Sequence, residues 1–442
     1  MSQLGVRTAL GIAMVVTIAG FLQPSGANAR VRLAAVSQAA ESYESAANPP
    51  LAEMFHDALL DSLQDATDAS DGTVYIRTGD IRAEWLRDSS AQVRPYLYFA
   101  AEPAVREFLK AVIGRQATYI TADPYANAFT SRYRVWESKF ELDSLCYPVL
   151  LVWTYWKVTG DSSVFTPGMQ AAFKTILKTM RTEQHHDARS RYRNRDLPDG
   201  GRGGPVDHTG MIWSGFLPSD DAPTYHYPIA SEMMAVQALS AIAEVEQNVY
   251  GNPGETARAY GIRQRVNAGI QSYGIVHTRH FGAVYAYEVD GRGHYKLMDD
   301  ANVPSLISAP YLGYGSRSNR IYENTRRFAL SGADPYYYRG RIGAGIGSSH
   351  TPRGYIWPMA LVMQALTSTS QPERESLVEE ILASAPGEYL LHESFNPNHP
   401  RTYTRRQFGW PNALFSELVL RDYEGYPPLP TPSTSGLHLA GQ

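Results

Sequence analysis

Cysteine is almost absent from this chain of 442 residues, in which Cys146 is the only one. A disulfide within the chain is therefore excluded, so the fold depends on packing, hydrogen bonds and charge pairs. Cys146 lies in the apolar run 145–150, where a thiol behaves as a small buried hydrophobe rather than as a nucleophile. An exported protein without disulfides fits a bacterial periplasm better than a eukaryotic secretory route.

Two further features are missing, a block of basic residues and a segment of transmembrane length. Lys and Arg number 40 against 44 Asp and Glu, a net charge of −4, so nucleic acid is not an expected partner. The apolar run 9–22 is too short to span a bilayer comfortably. It follows Arg7 and precedes the Ala-Asn-Ala triplet 27–29, which predicts a cleaved signal peptide over residues 1–29. We therefore expect export to the periplasm or the medium, without a stable membrane anchor.

Aromatic residues, by contrast, are plentiful. Tyr, Phe and Trp number 29, 14 and 7, and hydrophobic residues make up 43% of the chain. This supplies a large core and leaves rings to line a cleft, where their faces can pack against the C–H faces of sugars. No linker interrupts the body, so residues 40–425 are predicted to form one catalytic domain. The Pro/Ser-rich stretch 426–442 is predicted to be a flexible tail.

Helical periodicity dominates this body. Helices are predicted over 144–159, closed by Gly160, and over 356–366 and 411–420. Strand-like alternation is sparse, and its best example is 283–289 before a turn. These patterns favour an all-α fold, an (α/α)6 barrel of paired helices with minor β-hairpins in its loops, although periodicity alone also fits a solenoid or an irregular bundle. Apolar residues recur at the spacing of one helical face at Val105, Phe108, Leu109, Val112 and Ile113.

Several loop segments combine acids or amides with aromatic rings. They cover residues 79–89, 123–129, 136–143 and 299–306. Helix capping or ion pairing explains any one of them, but their number favours a polar, ring-lined pit where loops converge. The long loops 195–230 and 331–355 are expected to be functional for the same reason.

Two distant segments offer the pair of carboxylates that glycosidic hydrolysis requires, one as acid and one to act on water or on the anomeric carbon. In 213–221, the apolar neighbours of Asp220 and the adjacent carboxylate of Asp221 are expected to raise the pKa of Asp220, which suits an acid. The sequence does not rank Asp220 above Asp221. In 392–395, Glu393 precedes a group of cations that favours the ionised form of a base, namely Arg401, Arg405 and Arg406.

Taken together, these segments resemble glycoside hydrolase family 125, the exo-α-1,6-mannosidases. The resemblance runs from about residue 79 to 417. It is carried by 78–81, 85–89, 123–129, 141–148, 213–221, 285–291, 298–306, 345–348, 392–395 and 410–415.

The resemblance implies an (α/α)6 barrel that removes non-reducing terminal α-1,6-linked mannose from oligosaccharides, N-glycans or mannan fragments. It further implies inversion of configuration, with no metal or other cofactor. Asp220 corresponds to the general acid and Glu393 to the general base, and inversion requires about 6.5–9.5 Å between their carboxyl groups. Substrate binding is expected from Asp80, Trp85, Arg87, Asp88, Tyr125, Asn127, Asp143, Trp213, Ser214, Asp221, Asp300, Asn302, His392 and Arg405.

Three alternatives stay open at this point. Metal catalysis could use His392 and the pairs 220–221 and 299–300, although no H-E-x-x-H or calcium-loop spacing is present. A non-catalytic glycan-binding protein could use the same toroid, since fold does not fix function. A glucan-acting hydrolase or a sugar epimerase on this fold should ignore mannosides.

Overall fold

The computed structural model describes residues 33–44 and 48–432. The predicted signal peptide 1–29 lies outside these residues, as does the last part of the predicted tail, 433–442. Within the described ranges, no helix is both long enough and apolar enough to cross a membrane.

Twelve helices of eight or more residues run through the described part of the chain. Shorter helical turns occur at Arg94–Phe99, Ser162–Val164, His186–Arg189 and Pro198–Gly201. The twelve are α1 (Ala34–Glu44), α2 (Pro49–Gln64), α3 (Leu86–Val93), α4 (Pro103–Ala122), α5 (Leu142–Thr159), α6 (Pro167–Glu183), α7 (Ile229–Asn248), α8 (Pro253–Tyr273), α9 (Arg320–Ala329), α10 (Pro358–Thr367), α11 (Gln371–Ser384) and α12 (Gly409–Asp422).

Local sequence explains where these helices begin and end. Proline stands in the first turn of α2, α4, α6, α8 and α10, where its missing N–H costs nothing. Gly160 ends α5 at φ 71, the left-handed conformation that glycine adopts freely. The predicted helix 144–159 is confirmed and begins two residues earlier, while 356–366 and 411–420 correspond to α10 and α12. The five periodic residues of α4 are all buried.

The helices form an (α/α)6 barrel with an inner and an outer ring. In the inner ring, α10 packs against α12, α12 against α3, α3 against α5 and α5 against α7. In the outer ring, α4 and α8 each pack on α6, while α2 backs α12 and α11 backs α10. The inner helices are accordingly buried on nearly every side, and all 14 residues from Leu142 to Tyr155 are inaccessible.

The sixth inner position is filled by a buried segment without a helix, residues 301–314. The hydroxyl of Tyr147 in α5 donates to the carbonyl of Val303 at 2.9 Å, and the hydroxyl of Tyr311 donates to Glu417 in α12 at 2.7 Å. Buried loops need partners for their backbone groups. Asp299 supplies two, since its carboxylate accepts the amides of Leu306 and Ile307 at 2.8 and 3.1 Å.

Across the described residues, fourteen short strands form six small antiparallel sheets in the loops. The strands are β1 (Ala66–Asp68), β2 (Val74–Ile76), β3 (Glu84–Trp85), β4 (Ala128–Phe129), β5 (Val135–Glu137), β6 (Tyr227–Pro228), β7 (Ile275–Thr278), β8 (Gly282–Tyr285), β9 (Glu288–Val289), β10 (Tyr295–Lys296), β11 (Tyr337–Arg339), β12 (Ala344–Ile346), β13 (Ser394–Asn396) and β14 (His399–Thr404). The predicted strand 283–289 is split, because β8 pairs with β7 whereas β9 pairs with β6 and β10.

The chain that follows α12 continues to pack against the barrel. The ring of Tyr426 packs against those of Tyr98 and Phe99, and Leu429 is only 7% exposed. Residues 426–432, which composition assigned to a flexible tail, therefore lie against the barrel. Apolar side chains spaced between the prolines make this packing favourable.

Replacing Asp299 with alanine tests how the non-helical inner segment is held. The change leaves two buried amides without an acceptor, each at a cost of about 1–3 kcal/mol. We therefore expect the free energy of unfolding to fall by about 2–6 kcal/mol, measured by urea denaturation followed by circular dichroism. Asp299→Asn, which keeps one acceptor oxygen, is the matched control and should lose less. Equal losses in the two variants would contradict this account of the segment.

Candidate active site

One pocket opens where the loops before the inner helices meet. Its internal space, counted to its open mouth, is about 340 Å³. Residues from four of those loops line it, together with Asn302 from the segment 301–314, so the N-terminal ends of these inner helices gather at this end of the barrel. The predicted site residues that line the pocket are Trp85, Arg87, Asp88, Asp220, Asn302, Glu393 and Arg405.

The guanidinium of Arg87 lies at the base of this pocket and faces four carboxylates. Its Nη1 donates to Glu141 at 2.5 Å and to Asp143 at 3.2 Å, while its Nη2 donates to Asp220 at 2.8 Å. Its Nε lies 3.5 Å from Asp88. The Arg87 side chain is only 4% exposed, so one buried cation balances as many as four negative charges.

This excess of carboxylates changes their pKa values. Burial, only partly offset by Arg87, raises the pKa of Asp88 and of Asp143 to about 6. Burial and the neighbouring Asp220 raise the pKa of Glu141 well above its usual range. Glu141 therefore keeps its proton to a higher pH than an ordinary glutamate does.

Asp220 behaves differently from the sequence-based expectation. Burial by itself would raise its pKa, but the charge of Arg87 and a hydrogen bond with Glu141 outweigh burial and lower the pKa to about 2. The expectation that apolar neighbours and Asp221 raise this pKa is wrong, because the decisive neighbours come from other loops. Because Glu141 and Asp220 interact directly and their pKa values move in opposite directions, a proton in this pair favours Glu141 over Asp220.

The backbone at the site is strained in two places. Asp220 has φ 65 and Arg405 has φ 36, in the left-handed region that residues other than glycine rarely adopt. A turn fixes Asp220, since its amide donates to Leu217 O and the amide of Leu217 donates to Asp221 O. Such conformations persist where the surroundings determine them, and they are common at functional sites.

Asp221 points away from its neighbour. One oxygen accepts from the hydroxyl of Ser349 at 3.1 Å, and the other lies 3.1 Å from Nδ1 of His350. This hydrogen bond raises the pKa of His350, whose ring lines the pocket. The two adjacent acids therefore have separate roles, with Asp220 in the pocket and Asp221 holding the loop that carries His350.

Glu393 lies on another wall of the pocket and is 5% exposed. Its Oε1 is 3.7 Å from Nη1 of Arg405, and its amide donates to the carbonyl of Arg405. Arg405 also donates to Asp80 at 2.9 and 3.0 Å and to the carbonyl of Thr78. Asp80 is thus the partner of Arg405 at the rim and does not line the pocket.

Several buried polar atoms at the pocket have no hydrogen-bond partner among the described residues. They include Nε1 of Trp85, Nε1 of Trp410 and Oδ2 of Asp88. Buried polar atoms are rarely left unpaired in folded proteins. Two donors and one acceptor at one pocket suit a ligand rich in hydroxyl groups, because a hydroxyl both donates and accepts.

Several residues predicted to bind substrate do not line the pocket but contact the cluster around Arg87 or a residue of the pocket wall. Asp143 contacts Arg87, and Asn127 donates to Glu141 at 3.0 Å. Asp300 accepts from Nδ2 of Asn302, which does line the pocket.

Four further predicted residues lie away from the pocket wall and position its loops. Ser214 accepts the amide of Leu142. The hydroxyl of Tyr125 donates to Glu183. Trp213 is fully buried between two imidazole rings, and His392 stacks on Tyr403 at 3.6 Å.

Other residues at the site were not among those predicted from the sequence. Glu141 was part of a recognised segment, but nothing in its local pattern indicated contact with Arg87 and Asp220. His350 follows the recognised segment 345–348 in a loop whose path the sequence does not reveal. Three pocket-lining rings were also absent from the predicted site, namely Trp357, Phe408 and Trp410.

Acid clusters can signal metal sites, and this one is occupied by a cation of the protein itself. Arg87 lies among its four carboxylates and donates to three of them. Across residues 33–44 and 48–432, no group of three or more His, Cys, Asp or Glu side chains is placed to hold a metal ion.

Residues 48–420 match the family described as metal-independent α-mannosidases, GH125. The chain belongs to this family.

Relatives are found among both solved structures and sequences. A structure from Streptococcus pneumoniae, a metal-independent α-mannosidase in a non-productive complex with α-1,6-mannobiose, is 38% identical with a TM-score of 0.83. That match covers 88% of this chain and 97% of the other. The meiotically up-regulated gene 157 protein of Schizosaccharomyces pombe is 36% identical over 426 residues, covering 86% of this chain and 83% of that protein.

A bacterial glucoamylase in complex with acarbose shares the fold alone. It is 10% identical, with a TM-score of 0.62, and the match covers 88% of this chain and 57% of the glucoamylase.

Replacing Arg87 with methionine tests the charge balance. Removing the cation that donates to three carboxylates of this cluster should lower the free energy of unfolding at pH 7 by about 3–5 kcal/mol. Without Arg87 the folded carboxylates have pKa values above their unfolded values. Stability should therefore rise as pH falls from 7 to 5, and it should fall as pH rises through the pKa values of these carboxylates in the folded state. Urea midpoints at several pH values measure this.

Arg94→Met is the matched control, because Arg94 is also largely buried and its Nε donates to one carboxylate, Glu417, at 2.9 Å. The Arg94→Met variant should also lose stability, but the size of the loss should depend much less on pH. An equal pH dependence in both variants would show that the four-carboxylate cluster is not the cause.

Proposed function

We propose that this chain is an exo-acting α-1,6-mannosidase that hydrolyses the non-reducing terminal mannose with inversion of configuration. One observation carries the proposal: Asp220 and Glu393, distant in sequence, line the same pocket beside unpaired donors and an acceptor suited to sugar hydroxyls. The α-1,6-mannobiose bound to the streptococcal relative supports the linkage.

Asp220 acts as the general acid. The proton shared with Glu141 passes to Asp220 and then to the glycosidic oxygen as the bond from that oxygen to the anomeric carbon breaks. Arg87 contacts both carboxylates and stabilises the negative charge left on the pair. The low pKa of Asp220 in the free protein is therefore compatible with acid catalysis, because the proton is stored next to it.

Glu393 acts as the general base. Its Oε1 lies 3.7 Å from Nη1 of Arg405, and its carboxylate takes a proton from the attacking water. The water adds to the face of the anomeric carbon opposite the leaving group, and an oxocarbenium-like transition state is stabilised between the carboxylates. After each turnover Asp220 has lost a proton and Glu393 has gained one. Proton exchange with solvent restores both groups to their starting states.

The substrate in nature is proposed to be a mannose oligosaccharide, a mannan fragment or an N-glycan. If the predicted signal peptide is cleaved, the enzyme meets this substrate outside the cytoplasm. A glucan-acting enzyme shares the fold, so activity on α-glucosides is the competing outcome of the same assays.

The released anomer tests substrate and stereochemistry together. Proton NMR of α-1,6-mannobiose hydrolysis should show β-mannose first, followed by mutarotation to the α form. Asp220→Asn should reduce kcat about 10²–10⁴-fold on mannobiose, but far less on a mannoside with a dinitrophenolate leaving group, which needs no proton. Glu393→Gln should reduce both rates. Initial release of α-mannose would overturn inversion.

Glu141→Gln tests the shared proton. Glutamine keeps the size and can donate to Asp220, but it cannot transfer a proton, so the rate on mannobiose should fall by about 10-fold or more. The rate on the dinitrophenyl mannoside should change little. Because Glu141 acts through Asp220, the substitution should add almost nothing in an Asp220→Asn background. Additive losses in the double variant would indicate a purely structural role.

A further inference from the structure

A second cavity lies at the opposite end of the barrel from the catalytic pocket. Helix α10 separates the two, because Trp357, immediately before this helix, lines the catalytic pocket, whereas Thr367, its last residue, lines the second cavity. The ten residues of α10 rise about 15 Å. The second cavity encloses about 1020 Å³, counted to its open mouth. A ligand bound there does not contact Asp220 or Glu393.

The lining of this cavity is rich in arginine, although the chain as a whole has a negative net charge. Its charged side chains are four arginines and two glutamates, which gives the lining a net charge of +2. They are Arg317, Arg320, Arg326, Arg327, Glu323 and Glu373. The lining is therefore suited to an anion.

Two of the arginines are held in place at the C-terminal end of α10. Nη1 and Nη2 of Arg317 donate to the carbonyls of Ser368 and Leu366 at 3.3 and 3.0 Å. Arg326 forms an ion pair with Glu373, with its Nη2 at 2.6 Å from the carboxylate. Because the C-terminal end of a helix carries partial negative charge, capping and ion pairing explain these two positions.

Capping does not explain the other two arginines. Arg320 is the first residue of α9 and is exposed. The N-terminal end of a helix carries partial positive charge, so a cation there is unfavourable by itself. Arg327 is also exposed, and it donates to two neutral acceptors, Oδ1 of Asn324 and the carbonyl of Phe281. The charges of Arg320 and Arg327 are therefore available to an anion.

The cations around the cavity also repel one another. Burial, together with the charges of Arg421 and Arg374, lowers the pKa of Arg317. An anion bound among these groups relieves the repulsion, and a guanidinium group binds phosphate with two parallel hydrogen bonds. The cavity has the size of a small-molecule site, so it has room for the group that carries a phosphate.

We propose that this cavity binds a phosphate group, either as the free ion or as the ester of a small molecule such as a sugar phosphate. Arg320 and Arg327 contact the phosphate, and Arg317 and Arg326, fixed at the end of α10, add positive potential. Glu323 opposes binding. The proposal goes beyond the proposed hydrolysis and uses neither of its catalytic carboxylates.

Phosphorus NMR titrations with inorganic phosphate and with glucose 6-phosphate test the site. Arg320→Gln and Arg327→Gln should each weaken the binding of either probe about three- to tenfold, because each removes charge-assisted hydrogen bonds. Glu323→Gln should strengthen binding, because it removes the opposing charge. All three side chains are exposed, so the variants should keep the fold, which circular dichroism checks.

Arg195→Gln is the matched control, because it also removes one positive charge, from a side chain that is 93% exposed and lines neither cavity. It should leave both affinities unchanged. An equal loss in Arg195→Gln would indicate general attraction to the charge of the chain. Unchanged affinity in both Arg320→Gln and Arg327→Gln would place the anion elsewhere, and no saturable binding of either probe would mean that the cavity takes no phosphate.

Any of these three results overturns the proposal. The two probes then distinguish the source of the phosphate. Tighter binding of glucose 6-phosphate than of inorganic phosphate supports an ester as the ligand, whereas equal or weaker binding supports the free ion.

Discussion

The site depends on one buried guanidinium. Arg87, in the first turn of α3, contacts Glu141 from the loop before α5 and Asp220 from the loop before α7. It therefore fixes three neighbouring parts of the inner ring to one another. Buried carboxylates without a cation or a proton are strongly unfavourable, so their positions and their protonation are set by the same interaction. Catalytic geometry and charge state cannot be separated here.

The two proposed catalytic carboxylates differ in the number of charged side chains around them. Asp220 competes with three other carboxylates for Arg87, and burial together with the charge of Asp220 raises the pKa of the neighbouring Glu141. Glu393 shares Arg405 with one exposed carboxylate, Asp80, so that side has no comparable excess of negative charge. The side of the proposed acid is therefore the one where a carboxyl proton is favoured.

The sequence predicted the parts of this structure that local patterns determine. Apolar spacing located the helices, as the buried face of α4 shows, and acids beside rings located the loops that meet at the pocket. Features set by distant contacts could not be predicted. The path of residues 301–314 depends on Asp299, and the raised pKa of Glu141 depends in part on its approach to Asp220. The contacts of residues 426–432 with the barrel could not be predicted either, because composition does not reveal a receptive surface.

The barrel itself explains why acids can collect at this end. Asp88 lies in the first turn of α3 and Asp143 in the first turn of α5, and both carboxylates belong to the cluster around Arg87. Each helix N-terminus carries a partial positive charge of about half a unit. Because the fold gathers the N-terminal ends of the inner helices, their dipoles add to Arg87 where negative charge is greatest. A ring of parallel inner helices therefore provides, from its backbone alone, part of the positive potential that an acid-rich pocket requires.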